Sequence, residues 1–301
     1  MTTAAAPKAP AATYRISPVR HWGRWIAGLI ALGVLVAIVM AFAGAQIDWA
    51  TVSQYFSYPS IMAGFGVTVV LTVICMTIGI ALGTLIAVMR LSSNLVVSGI
   101  AWIYVWFFRG TPVYLQLLMW FNIALVFPTV GIPGLYEWRT VDLVTPFLAA
   151  ILGLGINQGA YTSEIVRAGI LSVDEGQTEA AKALGLNGRA TMRTVILPQA
   201  MRVILPPIGN EAIGMLKTTS LAAAIGASEV LNQAQHIYLV NNMIMELLIV
   251  SGIWYLIAVS VLSVIQYYIE RRFAKGSSSK SLPPTPWQRI RWFFTGRRRT
   301  A

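Results

Sequence analysis

Ser172-Val173-Asp174-Glu175-Gly176-Gln177-Thr178-Glu179-Ala180-Ala181-Lys182-Ala183-Leu184-Gly185-Leu186-Asn187-Gly188-Arg189-Ala190-Thr191-Met192-Arg193-Thr194-Val195-Ile196-Leu197-Pro198-Gln199 is the longest polar stretch inside the apolar part of a 301-residue chain. Ser172 and Glu175 stand three apart, the spacing of a capping box that satisfies two free backbone N–H groups at a helix start. From Thr178 to Leu184 every residue except Thr178 is a good helix former. Gly185 can take the left-handed conformation that ends a helix. A second short helix is expected from Asn187 to Ile196, with Pro198 breaking it, because the ring and the missing N–H of proline oppose continuation. The stretch reads as a knob of two short helices joined at glycine, whose small face of Ala180, Ala181 and Ala183 lets a partner approach closely.

Outside the knob the chain is apolar. Hydrophobic residues make up 56% and charged residues 11%, against about a quarter charged in soluble domains. That is too little polar surface for water to be the main solvent, and lipid resolves the deficit. A hydrocarbon core of about 30 Å needs roughly 20 apolar residues of helix. Six segments meet or approach this: Trp25–Ala45, Met62–Met89, Val97–Phe127, Pro146–Leu171, Ala200–Gly226 and Glu246–Ile269. The third is interrupted by Arg109-Gly110-Thr111-Pro112, and the fifth carries Pro206, Pro207, Asn210, Glu211 and Lys217. The expected fold is an all-α polytopic membrane protein with six transmembrane helices.

Charge tests that count. With the N-terminus inside and six crossings, the inner side receives Lys8, Arg15, Arg20, Arg24, Arg90, Arg167, Lys182, Arg189, Arg193 and Arg202, with the nine Lys and Arg of the tail from Arg271 to Arg299. Arg109 and Lys217 fall within spans, which leaves Arg139 alone outside, while the outer loops carry Asp48, Glu137, Asp142 and Glu229. Cytoplasmic loops of membrane proteins are enriched in Lys and Arg, so both termini are expected in the cytoplasm. The same distribution accounts for the net charge of +11 without nucleic acid. A single cysteine, Cys75, excludes an internal disulfide, and two histidines, His21 and His236, speak against a histidine metal site. No metal and no cofactor is expected.

The first apolar segment follows a basic leader and ends near Ala41-Phe42-Ala43, which resembles a signal peptide with its cleavage site. The stretch is long for that and the leader extended, so an uncleaved additional helix over 25–45 is expected, preceded by a disordered cytoplasmic N-terminus over 1–24. A basic tail over 274–301 carries Trp287, Trp292, Phe293 and Phe294 among arginines; it is either solvated or laid on anionic lipid.

Glu179-Ala180-Ala181, three residues, Gly185, nine residues, Val195, one residue, Leu197-Pro198 resembles the EAA loop of binding-protein-dependent ABC importer permeases. Val195 stands where that pattern normally has isoleucine. Phe107-Phe108-Arg109-Gly110-Thr111-Pro112 followed by Gln116, Gly159-Ala160-Tyr161-Thr162-Ser163-Glu164-Ile165-Val166-Arg167-Ala168-Gly169-Ile170, and Leu216-Lys217-Thr218-Thr219-Ser220-Leu221 are similar to the polar amino acid branch, the histidine, glutamine, arginine and opine type. The resemblance implies a type I importer core of five helices over 62–273, with the loop 172–199 as the cytoplasmic coupling element and the first helix as an addition. It implies residence in the bacterial cytoplasmic (inner) membrane, and a second permease subunit, identical or not. It implies two copies of an ABC ATPase subunit, docked around Glu179, Ala180, Ala181, Gly185, Leu197 and Pro198, and an extracytoplasmic amino acid-binding protein. The implied function is transport by alternating access, with ATP hydrolysed in the partner.

An ionisable group within a spanning helix costs about 2.5–3.5 kcal/mol on insertion scales and is a functional candidate for that reason. Arg109 and Glu164 stand on different spans. A guanidinium can hold a substrate carboxylate through two parallel hydrogen bonds, and a carboxylate can hold its ammonium. Alternatively the two pair with each other and fix helix packing, or Arg109 lies near the interface with Gly110-Thr111-Pro112 as a kink. Gln116, two turns beyond Arg109, can face the same cavity, and Thr68 is a weaker candidate beside Thr72. Gly79 and Gly83 form a small-xxx-small packing pair. Glu211 and Lys217 are assigned to gating or packing. No phosphate-binding loop is complete: Gly209-x-x-x-x-Gly214 is followed by Met215 where a lysine is needed. A secondary transporter would usually carry two related halves, which the sequence does not display, and no nucleophile–histidine or metal-ligand set suggests a membrane enzyme.

Overall fold

The computed structural model describes residues 22–132, 136–273 and Trp287; these are helical apart from one β-hairpin and the connecting turns. The expected N-terminal segment 1–24 lies outside the described residues as far as residue 21, and the tail lies outside them apart from Trp287. The chain divides after Asp48 into two units. The first contains α1 (Trp22–Ala43), in which Ile26–Ala43 has a mean hydropathy of 2.8 and is long and apolar enough to cross a membrane.

The second unit runs α2 (Trp49–Phe56), α3 (Pro59–Arg90), α4 (Leu95–Gly110), α5 (Val113–Phe121), β1 (Thr129–Ile132), β2 (Tyr136–Arg139), α6 (Thr140–Leu143), α7 (Pro146–Leu171), α8 (Glu175–Ala183), α9 (Gly188–Thr191), α10 (Leu197–Thr218), α11 (Val230–Asn241) and α12 (Ile244–Phe273). Among the described residues α1, α3 and α12 qualify as spans by length and composition, and α4 with α5 makes a fourth if the bent pair is one crossing. The expected count of six depends on α7 and α10. They have 26 and 22 residues, enough to cross, but their polar side chains lower the hydropathy of every window. Lipid is not what those side chains meet: Asn157, Gln158, Thr162 and Ser163 of α7 are all buried within the protein.

α3 and α7 form the centre of the unit. Their contact is close because α3 lacks side chains where it crosses α7. A Cβ on Gly79 would lie 2.5 Å from Cγ of Gln158, and one on Gly83 would lie 2.6 Å from Cβ of Thr162. The pair is therefore a packing face, as its spacing suggests. Around this crossing Leu71, Cys75, Leu117, Leu154, Met215 and Ile225 make the main apolar core. A second cluster of Ala87, Val166, Ala200 and Ile204 joins α3, α7 and α10 nearer the knob.

Three sequence expectations change. The third apolar segment is not one interrupted helix: α4 and α5 meet at 101°, because Pro112 has no N–H to continue the ladder and Thr111 turns extended, at φ −112° and ψ 144°. Ser172 is not a capping-box residue. It closes α7, its hydroxyl donating to the carbonyl of Gly169 at 2.7 Å, and Asp174 caps α8 instead by accepting from the Gly176 N–H at 2.8 Å. Pro198 does not break a helix: α9, which starts where expected and is capped by Asn187, runs through a π-helical turn over Met192–Ile196 into α10, with Pro198 in the first turn of α10. The wider π turn accommodates the missing donor and the ring. Gly185 behaves as expected, with φ +76°. The N–H groups of Gly185 and Leu186 reach the carbonyls of Lys182 and Ala181 at 2.9 and 3.1 Å, the paired bonds of a glycine helix stop.

Pairing in the hairpin is antiparallel, Thr129 with Arg139, Val130 with Trp138, Gly131 with Glu137 and Ile132 with Tyr136. It leads into the N-terminal end of α7, and the knob leaves the C-terminal end. At about 1.5 Å per residue, α7 holds the two pieces about 39 Å apart along its axis.

Candidate functional site: a bipolar cavity at the α4–α5 corner

The corner at Pro112 releases backbone carbonyls that a straight helix would satisfy. Phe108 would otherwise bond to the N–H of residue 112, which proline lacks. Nδ2 of Asn157 donates to the Phe108 carbonyl at 2.8 Å and Nε2 of Gln116 reaches it at 3.1 Å. The Thr111 hydroxyl donates to the Phe107 carbonyl at 2.9 Å. The same Gln116 amide approaches the carbonyl and hydroxyl of Thr111 at 3.1 and 2.7 Å, and its oxygen accepts from Asn157 at 3.2 Å. Buried polar groups left unmatched cost about 1–3 kcal/mol each, so Gln116 and Asn157 are what keeps this corner open-ended yet rigid.

Behind the brace lies a cavity of about 450 Å³, within the range typical of small-molecule sites. Its walls are the corner itself (Arg109 to Val113), one face of α7 (Leu154, Asn157, Gln158 and Tyr161) and one face of α10 (Glu211, Gly214, Met215 and Thr218). Arg109 sits in the last turn of α4, where the negative end of the helix dipole favours a cation. Its guanidinium carbon is 5.2 Å from the centroid of the Tyr161 ring, within cation–π range. Among the described residues no carboxylate lies in ion-pair range of Arg109. Glu211 enters from the α10 side and accepts from Nε2 of Gln158 at 3.1 Å. The cavity thus carries one cationic and one anionic side chain on different helices. Among the described residues no group of three His, Cys, Asp or Glu lies close enough together to hold a metal ion.

Of the four candidate binding residues, Arg109 lines the cavity and the others do not. Gln116 lies behind the wall as the brace just described. Glu164 neither lines the cavity nor meets Arg109: one of its oxygens is 3.3 Å from Arg90 at the end of α3, and the other 2.8 Å from Arg167 on its own helix. Thr68 is fully buried away from the cavity. Its hydroxyl lies 3.1 Å from the Gly64 carbonyl and accepts from the Val230 N–H at 3.2 Å. It also approaches Glu229, which is not a solvated outer-loop residue but the buried cap of α11, held by the Tyr255 hydroxyl at 2.6 Å and the Asn232 N–H at 2.8 Å. Glu211, Gln158 and Tyr161 are the wall residues that sequence reasoning did not select.

In the knob, Glu179, Ala180, Ala183 and Gly185 are exposed. Leu184 beside them is 81% exposed, while Ala181 is buried. The small face therefore splits, with Ala181 turned inward and Ala180 and Ala183 outward. Leu197 is exposed and Pro198 stands next to it in the first turn of α10.

Comparison with known proteins agrees with this architecture. The family described as binding-protein-dependent transport system inner membrane component matches residues 79–275. An arginine transport system permease protein of Corynebacterium glutamicum is 44% identical over 264 residues, covering 87% of this chain and 83% of that protein. The glutamine transport system permease protein of Escherichia coli is 34% identical, covering 75% of this chain and 98% of that protein. A crystal structure of an amino acid ABC transporter with histidines superposes with a TM-score of 0.66 at 36% identity, covering 76% of this chain and the whole of that one. By sequence, by fold and over most of its length, the chain belongs to the family of binding-protein-dependent transport system inner membrane components.

Proposed function

We propose that this chain is the membrane-spanning permease subunit of an ATP-driven amino acid importer. The observation that carries the reading is the cavity with Arg109 and Glu211 on opposite walls. A zwitterion offers a carboxylate and an ammonium, and each finds an opposite charge there without displacing an existing ion pair. Arg109 holds the carboxylate in this reading and Glu211 the ammonium, with Gln116 fixing the corner that presents Arg109. Glu164 and Thr68 support the site at a distance, through Arg90 and through α11. The relatives named for arginine and glutamine transport support the substrate class.

Six crossings, with both termini in the bacterial cytoplasm, follow from the Lys and Arg distribution when α7 and α10 are counted and α4 with α5 is one. The core is 62–273 with α1 as an addition. The α8–α9 knob then faces the cytoplasm, where Glu179, Ala180, Ala181, Gly185, Leu197 and Pro198 form or support the docking surface for a separate ABC ATPase, present in two copies. A second permease subunit completes the pathway and an extracytoplasmic binding protein delivers the substrate. This chain catalyses no reaction itself: closure of the ATPases moves the knob and switches the cavity from outward to inward access.

Purification of the complex in mild detergent tests the reading. An ATPase is expected to accompany the chain, and its turnover in proteoliposomes is expected to rise with particular amino acids and their binding protein. A chain that emerges alone under every gentle condition, or an ATPase indifferent to all amino acids, would refute it.

A further inference from the structure

One face of the β1–β2 hairpin is apolar, and among the described residues none covers it. Side chains alternate across a strand, so the register, Val130 opposite Trp138 and Ile132 opposite Tyr136, puts these four on one face. They are 50, 58, 64 and 65% exposed for Val130, Trp138, Ile132 and Tyr136. The other face carries Thr129, Gly131, Glu137 and Arg139, and Arg139 pairs with Asp142 at 3.8 Å. The ribbon is built, not incidental. Gly131 has φ +153° and a Cβ there would strike the Tyr136 carbonyl at 1.8 Å, so the pairing requires glycine. At its base Thr140 donates its hydroxyl to the Phe127 carbonyl and its N–H to the Pro128 carbonyl at 3.0 Å.

A two-stranded hairpin is marginal in water by itself, and an uncovered apolar ribbon is liable to associate. The chain leading into it shows what covers it. Met119 on α5 is exposed, and Leu125, Val126 and Phe127 that follow are 82, 68 and 57% exposed. Helix α5 belongs to the bent pair apolar enough to cross a membrane, so its exposed side chains meet lipid, and the apolar surface continues from there to the ribbon. Trp and Tyr are the side chains enriched at the level of lipid headgroups, where an apolar ring and a polar tip are both accommodated. A protein that comes and goes would leave the four side chains in water between visits. The bilayer covers them at all times.

We infer that the hairpin lies on the membrane surface, with Val130, Ile132, Tyr136 and Trp138 sunk into the headgroup region and Glu137 and Arg139 facing water. The ribbon anchors the segment between α5 and α7, the helices that contribute Val113 and the Leu154–Tyr161 face to the walls of the cavity.

The test uses the complete transporter in proteoliposomes, with Trp138→Cys carrying an environment-sensitive fluorophore in a Cys75→Ala background. Glu137→Cys reports the opposite face, and Tyr136→Cys serves if the Trp138 variant does not assemble. A blue-shifted label at 138, quenched by phosphatidylcholine spin-labelled near its headgroup and shielded from iodide, with the 137 label open to iodide, is the expected result. Equal iodide quenching at both positions would overturn the inference. So would a label at 138 shielded from iodide and from spin-labelled lipid alike, which means a protein covers the face, whether a second copy or a binding protein whose addition brings the shielding.

Discussion

Arg109 and Glu164 are both charged groups in an apolar chain, and the structure treats them in opposite ways. Glu164 is matched twice over, by Arg90 and Arg167, in a cluster that joins α3 to α7 one turn past the cavity. Arg109 has the face of Tyr161 and no carboxylate among the described residues. A group whose charge is already matched has its work inside the fold. A group held by a ring and a helix end, and facing a cavity, is available to something that arrives from outside. Under the proposed function, the difference separates holding the helices from holding a substrate, although the two residues look alike in sequence.

Substitutions sharpen or break that contrast. Arg109→Ala removes charge-assisted hydrogen bonds worth about 1.5–3 kcal/mol, so substrate uptake by proteoliposomes is expected to fall roughly 10- to 100-fold with ATPase attachment intact; unchanged uptake would abolish the distinction. Glu211→Gln keeps the shape and the bond from Gln158 but loses the charge. Its expected effect is about tenfold, a single charge-assisted bond of about 1.5 kcal/mol, read as a raised half-saturation concentration. Glu164→Gln leaves Arg90 and Arg167 without their anion. Pairs as open as these contribute about 1 kcal/mol or less, so the apparent Tm of the purified complex should drop by about 2–4 °C while uptake changes little. Complete loss of uptake in that variant would move Glu164 into the substrate path. Tyr161→Leu removes the ring beneath Arg109, worth about 0.5–1 kcal/mol, and a two- to fivefold weaker substrate response of the ATPase is the smallest change expected, again from about 0.5–1 kcal/mol.

How far the chain could be read from its sequence follows from the range of the forces involved. Local rules carried the knob: α9 starts beside Asn187 and Gly185 is left-handed because helix starts and the cost of positive φ depend on a few neighbouring atoms. The capping box failed because α7 continues to Leu171 and Ser172 is consumed in ending it; a single turn of helix decided between Ser172 and Asp174. Arg109 was legible as a charge in a span. Glu211 was visible as a charge in a span too, but its place on the cavity wall was not, because that depends on how α10 meets α7, where Gln158 donates to it at 3.1 Å. The 101° corner was visible only as an interruption at Pro112. Thr129-Val130-Gly131-Ile132 and Tyr136-Glu137-Trp138-Arg139 flank Pro133-Gly134 in the sequence, a hairpin signal submerged by the count of spans.

The π-helical turn over Met192–Ile196 has a mechanical consequence. It fuses the knob to α10 without a flexible linker, so the knob is the head of a shaft rather than a tethered bead. Glu211 stands about 21 Å beyond Leu197 along that shaft, at about 1.5 Å per residue. Between them Pro206 and Pro207 interrupt the ladder inside α10, and Nε2 of Gln266 on α12 donates to the Pro206 carbonyl at 2.8 Å. Gly209 leaves the room Gln266 occupies: a Cβ there would fall 1.6 Å from its oxygen. Under the proposed function, a displacement of the head would reach the wall that carries Glu211 along one continuous rod, braced part-way by Gln266 of α12.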